Sequence, residues 1–307
     1  MKGEGAVNAP SERGFVIIAV LWILVALSAL ATIFSVYLSN SALTLAATDA
    51  VLQREALVSA GLELTTYQLV LAGDKARPAQ GSFRFRLNNV EVLVTFKSEA
   101  ARVDLNFASK ELLANLFEVL GAEQKIAGDT AARIVGWRTP PKSNAANDEA
   151  ALYTASGLAY PPRQSSFAHV NELSLVLGMP AGLMDRALPF VTVFNGSANV
   201  DVLIAPSEVI AALPGMTPLA LNDFLNQRAS LPRDKAAIAA ALGPAQGSAA
   251  VANSKSYRVV TALRFNDGRQ TSSEVVISLG DGKQPYQVLS WQDDVRAGRR
   301  SRRLAGG

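Results

Sequence analysis

Two adjacent carboxylate pairs, Asp148-Glu149 and Asp293-Asp294, and a single histidine, His169, are the residues on which acid–base or metal chemistry would have to rest in this 307-residue chain. Their numbers and spacing do not support it. Zinc takes three or four nitrogen, sulfur or carboxylate ligands, and a chain with one histidine and no cysteine cannot assemble the usual set. His169 reads instead as a helix-start or packing residue. Calcium wants six or more oxygen ligands, and around Asp148 and Glu149 the acidic candidates thin to those two, so they read as a solvated loop and no calcium site is assigned. Asp293-Asp294 sits beside the arginine-rich "RAGRRSRRLAGG" and reads as a solvated turn. No G-x-S-x-G elbow, Walker loop or H-E-x-x-H motif occurs, and "GDGKQ" (280–284) lacks the spacing that cradles a phosphate. The sequence points to a non-enzymatic chain without a cofactor, whose chemistry lies in how it is inserted, processed and assembled.

Composition narrows the partners. A hydrophobic fraction of 49% can build a substantial core, and the net charge of +3 owes much to the tail arginines Arg296, Arg299, Arg300, Arg302 and Arg303. That tail reads as a solubilising segment, with anionic lipid or an acidic partner as the other reading. Nucleic acid is the rival from a different functional class. "LVLGMPAG" (175–182) and "AALPGMTP" (211–218) resemble helix-hairpin-helix turns, in which amides at a helix start hold a phosphate. The usual second glycine is missing from both, since Pro180 follows Met179 and Thr217 follows Met216, and basic residues nearby are sparse. A membrane-anchored helix-hairpin-helix DNA-binding protein is therefore the alternative, not the main reading.

The elements that would position an assembly surface begin at "SERGFVIIAVLWILV" (11–25), where charge stops abruptly. No charged residue occurs from Phe15 to Thr48. About 20 apolar residues at about 1.5 Å each cross a hydrocarbon core, so the segment to about Leu38 predicts a membrane-spanning helix. Loop bias counts basic residues, and Lys2 and Arg13 in the leader favour a cytoplasmic N-terminus with the bulk of the chain outside. A removable secretory signal cut at Ala29-Leu30-Ala31 competes with this, but the apolar pattern continues through Ile33, Phe34, Val36, Tyr37 and Leu38.

Beyond the membrane the helical pattern persists from Val51 to Leu71, with only Gly61 interrupting and a narrow polar stripe of Glu55, Ser59, Glu63 and Thr66. Phe83, Phe85 and Leu87 then alternate with polar residues, Asn88-Asn89 offers a turn, and Val90, Val92, Val94 and Phe96 alternate again, a hairpin with one buried face. From about Asn106 to Leu242 the pattern is short helices punctuated by Gly and Pro. It holds an internal echo, "VDLNFASKELLANL" (103–116) against "VDVLIAPSEVIAAL" (200–213), each an extended piece leading into a helix with an acidic residue in its first turn. After a Gly/Ala/Ser-rich loop (243–254), strands return around Tyr257–Phe265, Val275–Leu279 and "PYQVLSW" (285–291), with turns at "NDG" (266–268) and "GDG" (280–282). A sheet split by a helical insertion is implied, which is thermodynamically tolerable because closure entropy grows only logarithmically with loop length.

A polar leader, Arg13-Gly14, an aromatic residue, a long uncharged helix and then a sheet resemble a type IV prepilin or pseudopilin. The resemblance implies cleavage by a prepilin peptidase between Gly14 and Phe15, and N-methylation of Phe15. It also exposes a departure: the fifth mature position, usually glutamate in major pilins and most pseudopilins, is Ala19. A carboxylate in the bilayer costs a few kcal/mol or more and is tolerable when paired, in this family with the terminal ammonium of the subunit already assembled. A chain without it needs no subunit ahead, while its own Phe15 ammonium can still receive the next subunit's glutamate.

The order of helix, strands, large helical insert and remaining strands, with "VLWIL", "VDLNFAS", "LLANLF", "ARIVGW", "ALYTASGLAYPP", "HVNELSLVLGM", "FVTVF" and "VIAAL", resembles the K-type minor pseudopilin of the type II secretion system. Asp104 and Asp201 stand where that family usually has asparagine, and "GWRTPPKSN" departs from its acidic segment. The resemblance implies an α+β pilin-like fold: leader 1–14, helix 15–72, first sheet part 73–105, α-helical insert of two related SAM-like or helix-hairpin-helix-like units 106–248, second sheet part 249–292 and basic tail 293–307. It implies a tip subunit that initiates the pseudopilus with I- and J-type minor pseudopilins, is processed by the prepilin peptidase and docks on the inner-membrane secretion platform. Phe15 and Ala19 are its assembly residues.

Overall fold

The computed structural model describes residues 12–141, 148–250, 254–280 and 284–293. The first eleven leader residues, the altered 142–147 segment, the glycine turn at 281–283 and the tail beyond Asp293 lie outside them. Two compact units divide at Leu57 and Val58.

The first unit is the start of helix α1 (Glu12–Leu71), which runs through 60 residues without proline. In the second unit α1 continues from Val58, and here its faces separate. Val58, Leu62, Thr65 and Leu69 are buried, at helical spacing. Glu55 and Glu63 are exposed as the polar stripe predicted, but Thr66 is buried, and the exposed face carries apolar Leu64, Tyr67, Val70 and Leu71. A four-residue helix α2 (Gly73–Ala76) follows.

The main sheet comprises β1 (Gln80–Leu87), β2 (Val90–Ser98), β7 (Ser256–Arg264), β8 (Gln270–Leu279) and β9 (Tyr286–Asp293), in that order and antiparallel throughout. Alternation decides which side chains are buried: Val90, Val92, Val94 and Phe96 turn to one side of β2, and Glu91, Leu93, Thr95 and Lys97 to the other. The hairpin turn holds Asn88 and Asn89 at φ 49° and 64°, the pair of left-handed residues that a two-residue turn needs to match strand twist. β2 and β7 are adjacent although the whole helical region separates them in sequence, with Thr95 opposite Val260.

That region is two copies of one plan. The first copy starts with β3 (Val103–Asp104), runs through α3 (Lys110–Val119), α4 (Gln124–Arg138), α5 (Asp148–Ala155), a 3-10 turn (Val170–Leu175) and α6 (Ala181–Ala187), and ends with β4 (Val191–Thr192), which pairs in parallel with β3. The second copy starts with β5 (Val200–Asp201), runs through α7 (Ser207–Ala211), α8 (Pro218–Gln227) and α9 (Lys235–Leu242), and ends with β6 (Ala249–Ala250), parallel to β5. The sequence echo thus marks the opening strand and first helix of each copy, and Val103-Asp104 belongs to the helical ladder, not to the main sheet. The Gly/Ala/Ser-rich stretch is in part a 3-10 helix (Gly243–Ser248) followed by β6. Both copies share one core, with Leu112, Leu116, Phe117, Ile134 and Trp137 from the first and Val209, Ile210, Leu213, Phe224 and Leu242 from the second.

Gly61 is where α1 comes closest to the sheet. A Cβ there would lie 3.1 Å from Val94 Cγ2 and 3.3 Å from Thr261 Oγ1. Gly61→Leu should therefore force the helix off the sheet and lower stability by about 1–3 kcal/mol. Gly61→Ala should be close to neutral, because about 1 kcal/mol of helix propensity offsets the tight contact. Thermal melting of both variants checks the contrast.

Candidate functional site

Among the described residues no catalytic constellation forms, and the surfaces that could do work are the long apolar part of α1, the exposed apolar face of its later part and the polar joints of the helical region. Val16–Ser41 has a mean hydropathy of 2.8, is unburied, and has the length and composition to cross a bilayer. Ala19 falls within it. The backbone at Gly14 and Phe15 is already helical, since α1 starts at Glu12.

On the second unit, Leu64, Tyr67 and Leu71 follow one another at three- and four-residue spacing and are 41%, 65% and 71% exposed. That is an apolar stripe on an outward helix face, the kind of surface that marks a contact with another protein. Sequence periodicity placed apolar residues around most of the helix but could not say which of them the sheet would leave uncovered.

Asp104 and Asp201 anchor the two helical copies in the same way. The Asp104 Oδ1 accepts from the Asn106 amide at 2.8 Å and its Oδ2 from the Gly196 amide at 2.8 Å. Asp201 Oδ1 accepts from the Leu203 amide at 3.1 Å, and its Oδ2 from Arg233 at 2.6 Å. Burial pushes both carboxyls above the ordinary aspartate value, with the amides and Arg138 opposing it at Asp104 and with Arg233, then the Leu203 amide, opposing it at Asp201. In each site the second oxygen meets a donor, which an asparagine amide nitrogen could not accept. This is the physical reason a carboxylate suits these two positions.

An arginine also closes each copy, and no sequence pattern announced it. Arg138 donates to the Leu105 carbonyl through Nη1 and to the Ala108 carbonyl at 2.6 Å through Nη2. Arg228 Nη1 donates to the Ala205 carbonyl at 2.8 Å. Ala108 and Ala205 are equivalent positions of the echo, so the repeat extends to its hydrogen bonds even though the arginines come from helices of different length.

The other expected site residues resolve as structural. His169 caps the 3-10 turn: its Nδ1 accepts from the Asn171 amide at 3.1 Å while Glu172 Oε1 accepts from the His169 amide at 3.3 Å. Glu149 is not in a solvated loop, as the sequence suggested. It lies on α5, largely buried, paired with Arg133 at 2.9 Å and pressed against Gly136, whose missing Cβ makes the room. Burial pushes its carboxyl up and Arg133 opposes this. No group of three or more potential metal ligands occurs among the described residues. At the two hairpin-like turns Gly178 and Gly215 have φ of 73° and 81°, and Leu177, Met179 and Met216 pack against the helical core, which makes the turns packing elements.

A buried ion network joins sheet to insert. Glu99, 1% exposed, accepts from Arg258 Nε at 2.8 Å and Nη2 at 3.2 Å and from the Thr192 hydroxyl, while Arg258 Nη1 donates to Glu274. Burial would raise the Glu99 carboxyl, but the charge and hydrogen bonds of Arg258, with Arg102 and Thr192, outweigh it and hold it below the ordinary value.

With this geometry in hand, the similarities to known proteins fall into place. Residues 84–196 match the sequence family "Type II secretion system (T2SS), protein K", first domain. These residues span most of the first hairpin and the first helical copy. The type II secretion system protein K of Klebsiella pneumoniae is 29% identical over 196 residues, 58% of this chain. The match spans 56% of the Klebsiella protein. The fold of the chain is also similar to a chain in the GspK-GspI-GspJ complex of the enterotoxigenic Escherichia coli Type 2 Secretion System: TM-score 0.56, 16% identity, covering 80% of this chain and 96% of that one. The α+β reading, pilin-like helix and antiparallel sheet with a helical insert, stands in the structure.

The two arginine clamps give a graded test. Arg138→Met strands two carbonyls and Arg228→Met strands one, and each buried group left unpaired costs about 1–3 kcal/mol. Arg138→Met should therefore lower the thermal midpoint by roughly twice as much as Arg228→Met. Differential scanning calorimetry of the two variants measures the ratio.

Proposed function

We propose that this chain is the minor pseudopilin that leads a type II secretion pseudopilus, initiating its assembly with I- and J-type partners for protein export across the outer membrane. The observation that carries the reading is Ala19. An uncharged helix with no acid at the fifth mature position can be withdrawn from the bilayer without a neighbour ahead of it. The bulky insert supports the same role, since a folded helical module interrupting the pilin sheet leaves little room for a further subunit above.

In this reading the leader is cytoplasmic, the helix crosses the inner membrane once, and the soluble part lies in the periplasm. The prepilin peptidase cuts between Gly14 and Phe15 and methylates Phe15. The inner-membrane platform then extracts the mature chain, and the work is mechanical, not enzymatic. The apolar stripe of Leu64, Tyr67 and Leu71, continuing the membrane helix, is the surface for I- and J-type partners. The similarity to one chain of the GspK-GspI-GspJ complex supports partners of this kind.

N-terminal sequencing of the chain from cells with and without the prepilin peptidase tests the processing on which the role depends. The expected product starts at Phe15 only when the peptidase is present. A start at Thr32 in both strains would mean ordinary signal cleavage and would remove the pilin route.

A further inference from the structure

The sheet face opposite α1 carries a cleft of about 580 Å3 at the end where β2 meets the insert. Across this face Gln80, Lys97 and Arg258 stand side by side in one row, and Ser82, Thr95, Val260 and Glu274 in the next. Lys97 and Arg258 are directly opposed like charges, an unfavourable cross-strand pair. The structure relieves only one of them. Arg258 is shared between Glu99 and Glu274, whereas the half-buried Lys97 ammonium has no hydrogen bond or ion pair among the described residues. Burial, and then the charges of Arg102 and Arg228, push Lys97 below the ordinary lysine value. A cation is thus kept partly desolvated, beside other cations, in a concave site with room for a ligand.

We propose that this cleft is a binding site for a carboxylate, paired with Lys97 and hydrogen-bonded by the neutral side chains of Gln80 and Ser82. Charge selects the class of ligand. Lys97, Arg102 and Arg258 line the cleft together with Glu99 and Glu274, three positive charges against two negative, so one positive charge is left for a single carboxylate to balance. A phosphate dianion would hold both charges on one compact group facing Glu99 and Glu274, whereas a dicarboxylate such as glutarate can set one carboxylate at Lys97 and leave the other in solvent. Volume sets the scale: pockets of about 300–1,000 Å3 hold small organic ligands, so the cleft accommodates either a free small carboxylate or an acidic side chain with its flanking peptide. The site is independent of the processing and order of assembly proposed above.

The test uses the full-length chain in nonionic detergent, titrated calorimetrically with glutarate, with an acetylated tetraglutamate peptide and with inorganic phosphate. Saturable glutarate or peptide binding is expected, weakened at least tenfold by Lys97→Gln, retained by Lys97→Arg and unchanged by Lys125→Gln at an exposed lysine elsewhere. On the unaltered chain, glutarate should also protect Lys97 from acetylation, read by mass spectrometry, so the result does not depend on a variant folding. Tighter binding of the peptide assigns the carboxylate to a protein segment, and equal or tighter binding of glutarate to a free small molecule; either supports the site. Absence of saturable binding by both, indifference to Lys97→Gln, no protection of Lys97, or phosphate binding as tightly as glutarate would overturn it.

Discussion

The hydrocarbon core of a membrane tolerates no unpaired charge, and the organisation of this chain follows from that constraint. From Phe15 to Thr48 the sequence contains none, and from Val58 onward α1 lies on a sheet. One polymer element therefore has to satisfy two solvents. In lipid it needs only to be apolar on all sides. Beside the sheet it needs a narrow close-packing face, supplied by Val58, Gly61, Leu62, Thr65 and Leu69, and the outer face keeps Leu64, Tyr67, Val70 and Leu71 exposed. In the proposed role the same constraint gives Ala19 its meaning, because an acid at that position would require a partner at the moment of extraction.

The second organising fact is that a sheet can be cut and rejoined. β2 and β7 pair in register as if the helical region were a turn. The insert makes its own closure: each copy brings its last short strand back alongside its first, in parallel, so that its ends meet. Beside that join Glu99 bonds Thr192 of the insert and Arg258 of the sheet, and Arg258 also bonds Glu274. Pairing buried charges this way seldom adds net stability, but removing one partner is costly, so the network holds sheet and insert in one arrangement.

Much of this architecture was legible in the amino-acid sequence, and the reasons differ by element. Strand alternation is a period-two signal, so both hairpin strands and the later strands could be read directly, and Asn88-Asn89 announced its own turn. The echo at Val103 and Val200 located the two helical copies because each repeats the same extended piece and helix start. What could not be read were contacts between residues distant in the chain. Arg138 and Arg228 reach back about 30 and 23 residues to equivalent carbonyls, and nothing local marks them. Thr66 fits a polar stripe by spacing but is buried by the sheet, and Glu149 looks solvated until Arg133 and Gly136 are brought beside it. Exposure of Leu64 and Tyr67 likewise depends on which face of α1 the sheet covers, and apolar periodicity alone does not say.

The most direct test of the account is to locate and count this subunit in intact pseudopili by cryo-electron microscopy, with a tag inserted after Gly196 in the link between the two helical copies. The account predicts one copy per filament, at the end distal to the membrane, with no density beyond it. Copies repeated along the shaft, or another subunit docked past the helical insert, would contradict it.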